Sequence, residues 1–210
     1  MATICQIGCG MIGKVMALDI SKRHDLHLSD LDSSALKEVK TLDPTIKTKC
    51  FNVNDYDLLK SFLKPADIVL LAVPGHMGYK LLEIIIGLKK NIVDISFSPE
   101  NILYLDKKAK DNNITVIFDA GLAPGIPNFL LGKIDAKENV KSFKYFVGGL
   151  PKHPKPPYNY KAPFSPIDVI EEYTRPARIM KNGKIITKPA LTDIEEKIYQ
   201  NTGMLEGFNT

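Results

Sequence analysis

The chain has 210 residues, 28 Lys and Arg against 24 Asp and Glu, and 44% apolar residues, an ordinary balance for a soluble protein that buries one good core or two modest ones. Its net charge of +4 comes from dispersed lysines with no basic block beside aromatics, which argues against a nucleic-acid partner. No apolar stretch reaches the ~20 residues that cross a bilayer, no basic-then-apolar leader opens the chain, and three cysteines without pairing or metal-ligand spacing fit a reducing cytoplasm and no metal.

Ile4 to Ile7 reads as a short strand, and Gly8-Cys9-Gly10-Met11-Ile12-Gly13 follows it directly. Three glycines at this spacing are common in loops, and a plain strand–helix turn is the competing reading. Here the context is specific. A strand precedes the turn, a helix with an apolar face (Ile12, Val15, Met16, Ile20) follows it, and an acid closes the next strand. In a dinucleotide turn Gly8 permits the tight reversal, Gly10 lets the backbone approach a pyrophosphate, and Gly13 lets the helix pack on the sheet. The first-turn N–H groups, around Met11 and Ile12, then face the diphosphate. Cys9 reads as a small filler of a variable motif position rather than a reactive thiol.

Leu26 to Ser29 is the second strand, and Asp30 ends it. An acid there accepts from the adenosine ribose hydroxyls and repels a 2′-phosphate. No arginine follows Asp30, so the expected cofactor is NAD rather than NADP. Asp32 reads as a loop acid or the cap of a helix beginning near Ser33. Thr48 to Val53 is the third strand, with Asn52 and Val53 at the position where this fold meets adenine. Asn54, with Asp57 three residues on, reads as the start of the next helix.

Asp67 to Val73 is a near-continuous apolar run, as expected of a strand covered on both faces. A helix from about Met77 to Leu88, a strand from Asn91 to Phe97, a helix opened by Ser98-Pro99-Glu100 and running to about Lys110, and a strand from Ile114 to Phe118 complete the rhythm. Six strands alternating with helices predict a doubly wound parallel α/β sheet, the Rossmann dinucleotide fold, over residues 1–135.

Beyond Gly125 the character changes. A short helix over Pro127 to Leu131 leads to Val140 to Val147, whose alternation suggests a half-buried antiparallel strand. Pro151 to Pro163 is too rich in proline for a helix or a central strand. Ser165-Pro166 opens a short helix, and Asn182-Gly183 joins two strands as a tight hairpin. Residues 136–210 therefore read as a partial α+β substrate domain.

Several segments carry a resemblance. They are Val93-Asp94-Ile95-Ser96-Phe97, Phe118-Asp119-Ala120-Gly121-Leu122-Ala123-Pro124-Gly125, Val147-Gly148-Gly149-Leu150-Pro151, Pro154 to Lys161, Phe164-Ser165-Pro166 and Glu172 to Arg178. Together they resemble the saccharopine dehydrogenase superfamily, with most likeness to its L-lysine 6-dehydrogenase branch. Ala123-Pro124-Gly125 stands where saccharopine-processing relatives tend to carry Asp-Pro-Gly, which favours the lysine-type branch. Relatives continue past the point where Leu205 to Thr210 ends, so a C-terminally partial catalytic domain is expected, and full-length relatives imply a homo-oligomer.

The resemblance implies a small amino-acid substrate, oxidised at the ε-carbon of L-lysine by hydride transfer to NAD. A reductive carbon–nitrogen bond enzyme and an inactive NAD-binding module are the alternatives. An amine with a solution pKa of about 10.4 must lose its proton before the hydride leaves. Ligands of such a sheet lie beyond the carboxyl ends of its strands, so the following loops supply candidates. Ala72, Val73 and Pro74 shape the nicotinamide-ribose pocket, and His76 reads more simply as a surface residue. Asp94 and Ser96 share one face of their strand. Asp94 is a catalytic candidate or a carboxylate tying down loop amides, and Ser96 belongs with the cofactor site. Asp119 is a catalytic candidate or the cap of the Gly121 to Gly125 turn. Asn128 is a candidate for holding substrate or the carboxamide of the cofactor. Tyr158, Tyr160 and Lys161 are held between prolines, the first as a substrate contact and the other two as catalytic candidates. Arg175 and Arg178 are clamps for a substrate carboxylate, or partners of Glu171 and Glu172.

Overall fold

Six parallel strands are laid down by the first 117 residues, successive strands being joined by crossover connections. The structure is a computed structural model and describes residues 1–210, which divide into two units, 1–143 and 144–210. In the first unit β1 (Thr3–Ile7), β2 (Asp25–Asp30), β3 (Lys47–Cys50), β4 (Ile68–Leu71), β5 (Asn91–Asp94) and β6 (Val116–Ile117) line up in the order β3-β2-β1-β4-β5-β6. The chain winds outward from β1 to β3, crosses back, and winds outward again from β4. The reversal lies between β1 and β4, which pair in parallel from Ile4 opposite Ile68 to Ile7 opposite Leu71. A crevice opens at such a reversal, beyond the carboxyl ends of the two strands.

Helices cover both faces. One core cluster joins Cys5, Ile7, Val69 and Leu71 to α3 (Tyr56–Leu63), α4 (Gly75–Gly87) and α5 (Asp106–Asp111) through Leu59, Leu82, Ile85 and Ala109. The second joins Ile4, Leu26, Leu28 and Leu70 to α1 (Met11–Ile20) and α2 (Ser33–Leu42) through Ala17, Leu36 and Val39. Each fully buried leucine or isoleucine stabilises the sheet by roughly 1.5–3 kcal/mol. Burial on both faces explains why Ile68–Leu71 is an unbroken apolar run.

Local capping refines the sequence reading at three places. Asn54 is consumed in a turn, its N–H donating to Asn52 Oδ1, so Asp55 caps α3 by accepting from Leu58 N at 3.0 Å. Ser98 does not open a helix, because its hydroxyl turns to the Gly75 carbonyl. Asn101 caps instead, and a single 3₁₀ turn over Ile102–Leu105 leads into α5. In α1 the expected apolar face is rotated: Gly13 and Ala17 are buried, while Ile12 is 47% and Val15 66% exposed. Small residues win that face because the helix lies close against the sheet. Asp32 is the cap of α2, accepting from Ser34 N and Ala35 N.

The first unit ends with α6 (Ile126–Asp135). The second contains α7 (Pro166–Thr174), the hairpin of β7 (Ala177–Lys181) with β8 (Lys184–Lys188), and the antiparallel pair β9 (Glu195–Tyr199) with β10 (Gly203–Gly207). Asn182 and Gly183 both take positive φ, 51° and 74°, as a two-residue hairpin turn requires. The strand expected over Val140 to Val147 does not form; the segment has no ladder partner. Alternation supplies a face but not a neighbour, and a strand needs both. Instead Phe146 rests against the bare Cα of Gly207 and lies 4.0 Å from the Lys197 ammonium, ring centroid to Nζ. No helix is long and apolar enough to cross a membrane.

Candidate functional site

The glycine turn sits at the reversal of the sheet. Gly8 has φ +104°, and a Cβ on it would collide with the Ala72 carbonyl at the end of β4. That carbonyl is in place because Ala72 N donates to Ile7 O at 2.8 Å, zipping the ends of β1 and β4 together. A Cβ on Gly13 would strike the Gly8 carbonyl. Gly10 differs: its missing side chain faces open space, with nothing within 4 Å. So Gly8 and Gly13 are required by the protein itself, and Gly10 leaves room for something else. The first turn of α1 carries no side-chain cap, and its N–H groups, at Met11 and Ile12, form the positive end of a helix dipole. An open cradle before uncapped amides fits the diphosphate of a dinucleotide.

Asp30 stands beside this turn. Its Oδ2 accepts from Cys9 N at 2.6 Å and its Oδ1 from Asp32 N at 2.8 Å. A carboxylate offers about four acceptor sites, so the two backbone contacts leave part of that capacity open. Cys9 is buried, and burial together with the Asp30 charge pushes its thiol up to about 11. It stays protonated and inert, as a filler residue would. Asn52 and Val53 follow β3, Asn52 exposed and Val53 half-buried, and Val73 and Pro74 follow Ala72 into the start of α4. His76 is exposed at that helix start.

The sequence reading passed over Gln6. Fully buried in β1, it donates from Nε2 to Gly8 O at 2.8 Å and to Gly13 O at 2.7 Å. Its sequence signal was a lone amide in a strand otherwise suited to burial on both faces.

Asp94 and Ser96 come together, but inward. Asp94 is 0% exposed, its Oδ1 accepting from Ser96 N and its Oδ2 from Ser96 Oγ, both at 2.8 Å. Burial pushes its carboxyl up to about 6, opposed by the two Ser96 hydrogen bonds and assisted by the charge of Asp119. This geometry ties down the loop after β5, the alternative to a catalytic role weighed from the sequence, and no edge of the carboxylate reaches the surface. Ser96 is equally enclosed, its hydroxyl turned to Asp94 and its Cβ packed on Gly78 of α4. Asp119 follows β6 with φ 51°, half-buried, and the next amide, Ala120 N, donates to Asp94 O at 2.9 Å. Asn128 lies in the first turn of α6 and accepts from Gly125 N at 3.2 Å, a capping contact.

The remaining candidates belong to the second unit. Tyr158 and Lys161 are exposed. Burial, then Tyr173 and Glu172, push the Tyr160 hydroxyl above its ordinary range. Glu172 is raised by burial and by Asp168 one turn away. Arg175 pairs with Glu171 on α7, the alternative partner weighed from the sequence. Arg178 projects from β7 opposite Thr187 and is exposed.

Comparison with known proteins matches residues 4–117 to the saccharopine dehydrogenase NADP binding domain and residues 121–210 to the saccharopine dehydrogenase C-terminal domain. Alpha-aminoadipic semialdehyde synthase of Arabidopsis thaliana is 31% identical over 178 residues, 80% of this chain and 17% of that one. Saccharopine dehydrogenase [NADP(+), L-glutamate-forming] of Pyricularia oryzae is 30% identical over 141 residues, 64% of this chain and 31% of that one. The apo structure of saccharopine dehydrogenase (L-Glu forming) from Saccharomyces cerevisiae superposes with a TM-score of 0.74 at 20% identity, covering 100% of this chain and 50% of its own. The chain thus spans half the length of that solved structure and less of the two curated relatives.

Proposed function

The chain belongs to the saccharopine dehydrogenase family, and on that premise we propose that it serves an oxidoreductase of amino-acid carbon–nitrogen bonds, holding a pyridine dinucleotide for the oxidation of saccharopine with release of L-glutamate. The observation that carries the proposal is the cradle at Gly10, which lies in front of the uncapped first turn of α1 with Asp30 bonded to the same turn. Bound there, a nicotinamide dinucleotide supplies the hydride acceptor. The chain's own residues grip the diphosphate through the amides around Met11 and Ile12, and orient the adenosine ribose through Asp30. The substrate amine is protonated in solution, with a pKa of about 10, and must give up that proton before the carbon can lose a hydride.

We assign NAD over NADP on the Asp30 carboxylate, which repels a 2′-phosphate, although the matched family model is that of an NADP binding domain and the Pyricularia oryzae relative is an NADP(+) enzyme by title. A second reading, oxidative deamination of the ε-amine of L-lysine, is favoured by Ala123 preceding Pro124-Gly125. One assay separates the two: formation of reduced dinucleotide from NAD or NADP with saccharopine, and separately with L-lysine. Turnover with saccharopine supports the first reading and turnover with lysine alone the second. Binding of dinucleotide with turnover of neither leaves a cofactor-binding unit without catalysis.

A further inference from the structure

We infer that Gln6 is the positioning residue of the glycine turn, a role that rests on the dinucleotide reading above. Two backbone carbonyls, Gly8 O and Gly13 O, face one side-chain atom of Gln6. Only the amide nitrogen satisfies both, so Nε2 is the inward atom. The other end of the amide, Oε1, is buried without a partner in the protein. An orphaned buried acceptor is destabilising, and an apolar side chain would suit this two-faced strand better. The amide therefore does something that burial alone does not explain.

What it does follows from the Gly8–Cys9 peptide. That group is held at both ends: Gln6 Nε2 donates to its carbonyl at 2.8 Å, and its N–H donates to Asp30 Oδ2 at 2.6 Å. The carbonyl is thereby fixed on the protein side, against Gly13. If the peptide turned over, it would swing a negative dipole end toward the place where α1 presents its positive end to two phosphates. Gln6 keeps that oxygen out of the diphosphate site and pre-sets the turn before any ligand arrives.

The test is Gln6→Leu, with Gln6→Met as a second donor-free variant that loses less length. Each removes the orphaned Oε1 and takes the side-chain donor from both Gly8 O and Gly13 O, so the melting temperature falls only modestly. The Kd for NADH, by fluorescence titration, rises about tenfold as pre-organisation is lost. Leu59→Ala, a cavity in the core on the opposite face of the sheet, is the control for general loosening. A Kd within twofold of the unaltered chain overturns the inference, and so does an equal weakening in Leu59→Ala. Failure of the unaltered chain to bind either NADH or NADPH removes the dinucleotide reading itself, and this inference with it.

Discussion

The Oδ2 of Asp30 accepts from the backbone N–H of Cys9 at 2.6 Å, so the acid that closes the second strand is bonded to the turn that follows the first. The two positions lie 21 residues apart in the chain. Parallel pairing of β1 with β2, in register from Thr3 opposite Asp25 to Ile7 opposite Ser29, brings them side by side. On the proposed dinucleotide reading, the diphosphate and ribose subsites share this bond, and changes at Asp30 are felt in both.

Asp30→Ala therefore weakens NADH more than NADPH. A charge-assisted hydrogen bond contributes about 1.5–3 kcal/mol, so the NADH Kd rises about tenfold to a hundredfold. NADPH loses less, because the carboxylate that repelled its 2′-phosphate is gone as well. Asp30→Asn keeps an acceptor for Cys9 N while removing the charge, and it shifts the NADPH-to-NADH preference with a smaller overall loss. Titration of both dinucleotides against the three chains reads this, and an unchanged preference ratio would count against Asp30 as the ribose ligand.

The glycines separate stability from binding. Gly10 has φ −67°, ordinary for any residue, and open space where a Cβ would go. Gly10→Ala keeps or slightly raises the melting temperature, since alanine reduces the freedom of the unfolded chain by about 0.4–1 kcal/mol, yet it obstructs the cradle and weakens dinucleotide binding. Gly13→Ala drives a Cβ into the Gly8 carbonyl, a backbone atom that cannot swing aside. It lowers the melting temperature and the affinity together. Thermal melts with and without dinucleotide distinguish the two patterns.

Much of this was readable from residues alone, for identifiable reasons. The glycine spacing, the apolar strand run and the acid that closes β2 report on backbone geometry, which local sequence encodes strongly. Elements whose form depends on a distant partner were not readable. Val140 to Val147 alternates correctly but meets no ladder partner. Ser98 has the sequence of a cap but gives its hydroxyl to Gly75, 23 residues earlier in the chain. The apolar face of α1 was assigned by periodicity, whereas close approach to the sheet selected Gly13 and Ala17. Gln6 is marked only as a lone amide in an apolar strand, because its partners, two backbone carbonyls, leave no mark in a sequence.

Asn128 is the next test of role. Its Oδ1 accepts from Gly125 N, at the start of α6, at 3.2 Å. Loss of such a cap costs about 0.5–2 kcal/mol, so Asn128→Ala lowers the denaturation midpoint, and Asn128→Asp, which keeps the acceptor, restores it. A substrate contact predicts the opposite ordering of effects: KM for the amino acid shifts in both variants while stability stays level. Parallel urea melts and steady-state kinetics decide between them.

Asp94 makes the fold sensitive to pH. Burial raises its carboxyl from 3.8 to about 6 in the folded chain, so between those values the folded state binds more protons than the unfolded one. Stability then falls as pH rises. The contribution of the protonated acid is complete below about pH 4 and is lost as pH passes through about 6, a change on the order of 3 kcal/mol at about 1.4 kcal/mol for each pH unit. Asp94→Asn does not titrate. Its Oδ1 still accepts from Ser96 N, and its amide donates to Ser96 Oγ, so the loop after β5 keeps both ties. Urea midpoints from about pH 4 to pH 8 should slope downward in the unaltered chain, flatten in Asp94→Asn, and place the variant above the parent at neutral pH. Equal slopes in the two chains would mean that the buried carboxylate at the end of β5 is not the group being titrated. A loss of stability in Asp94→Asn at neutral pH would mean that the ionised acid has a partner stronger than Ser96.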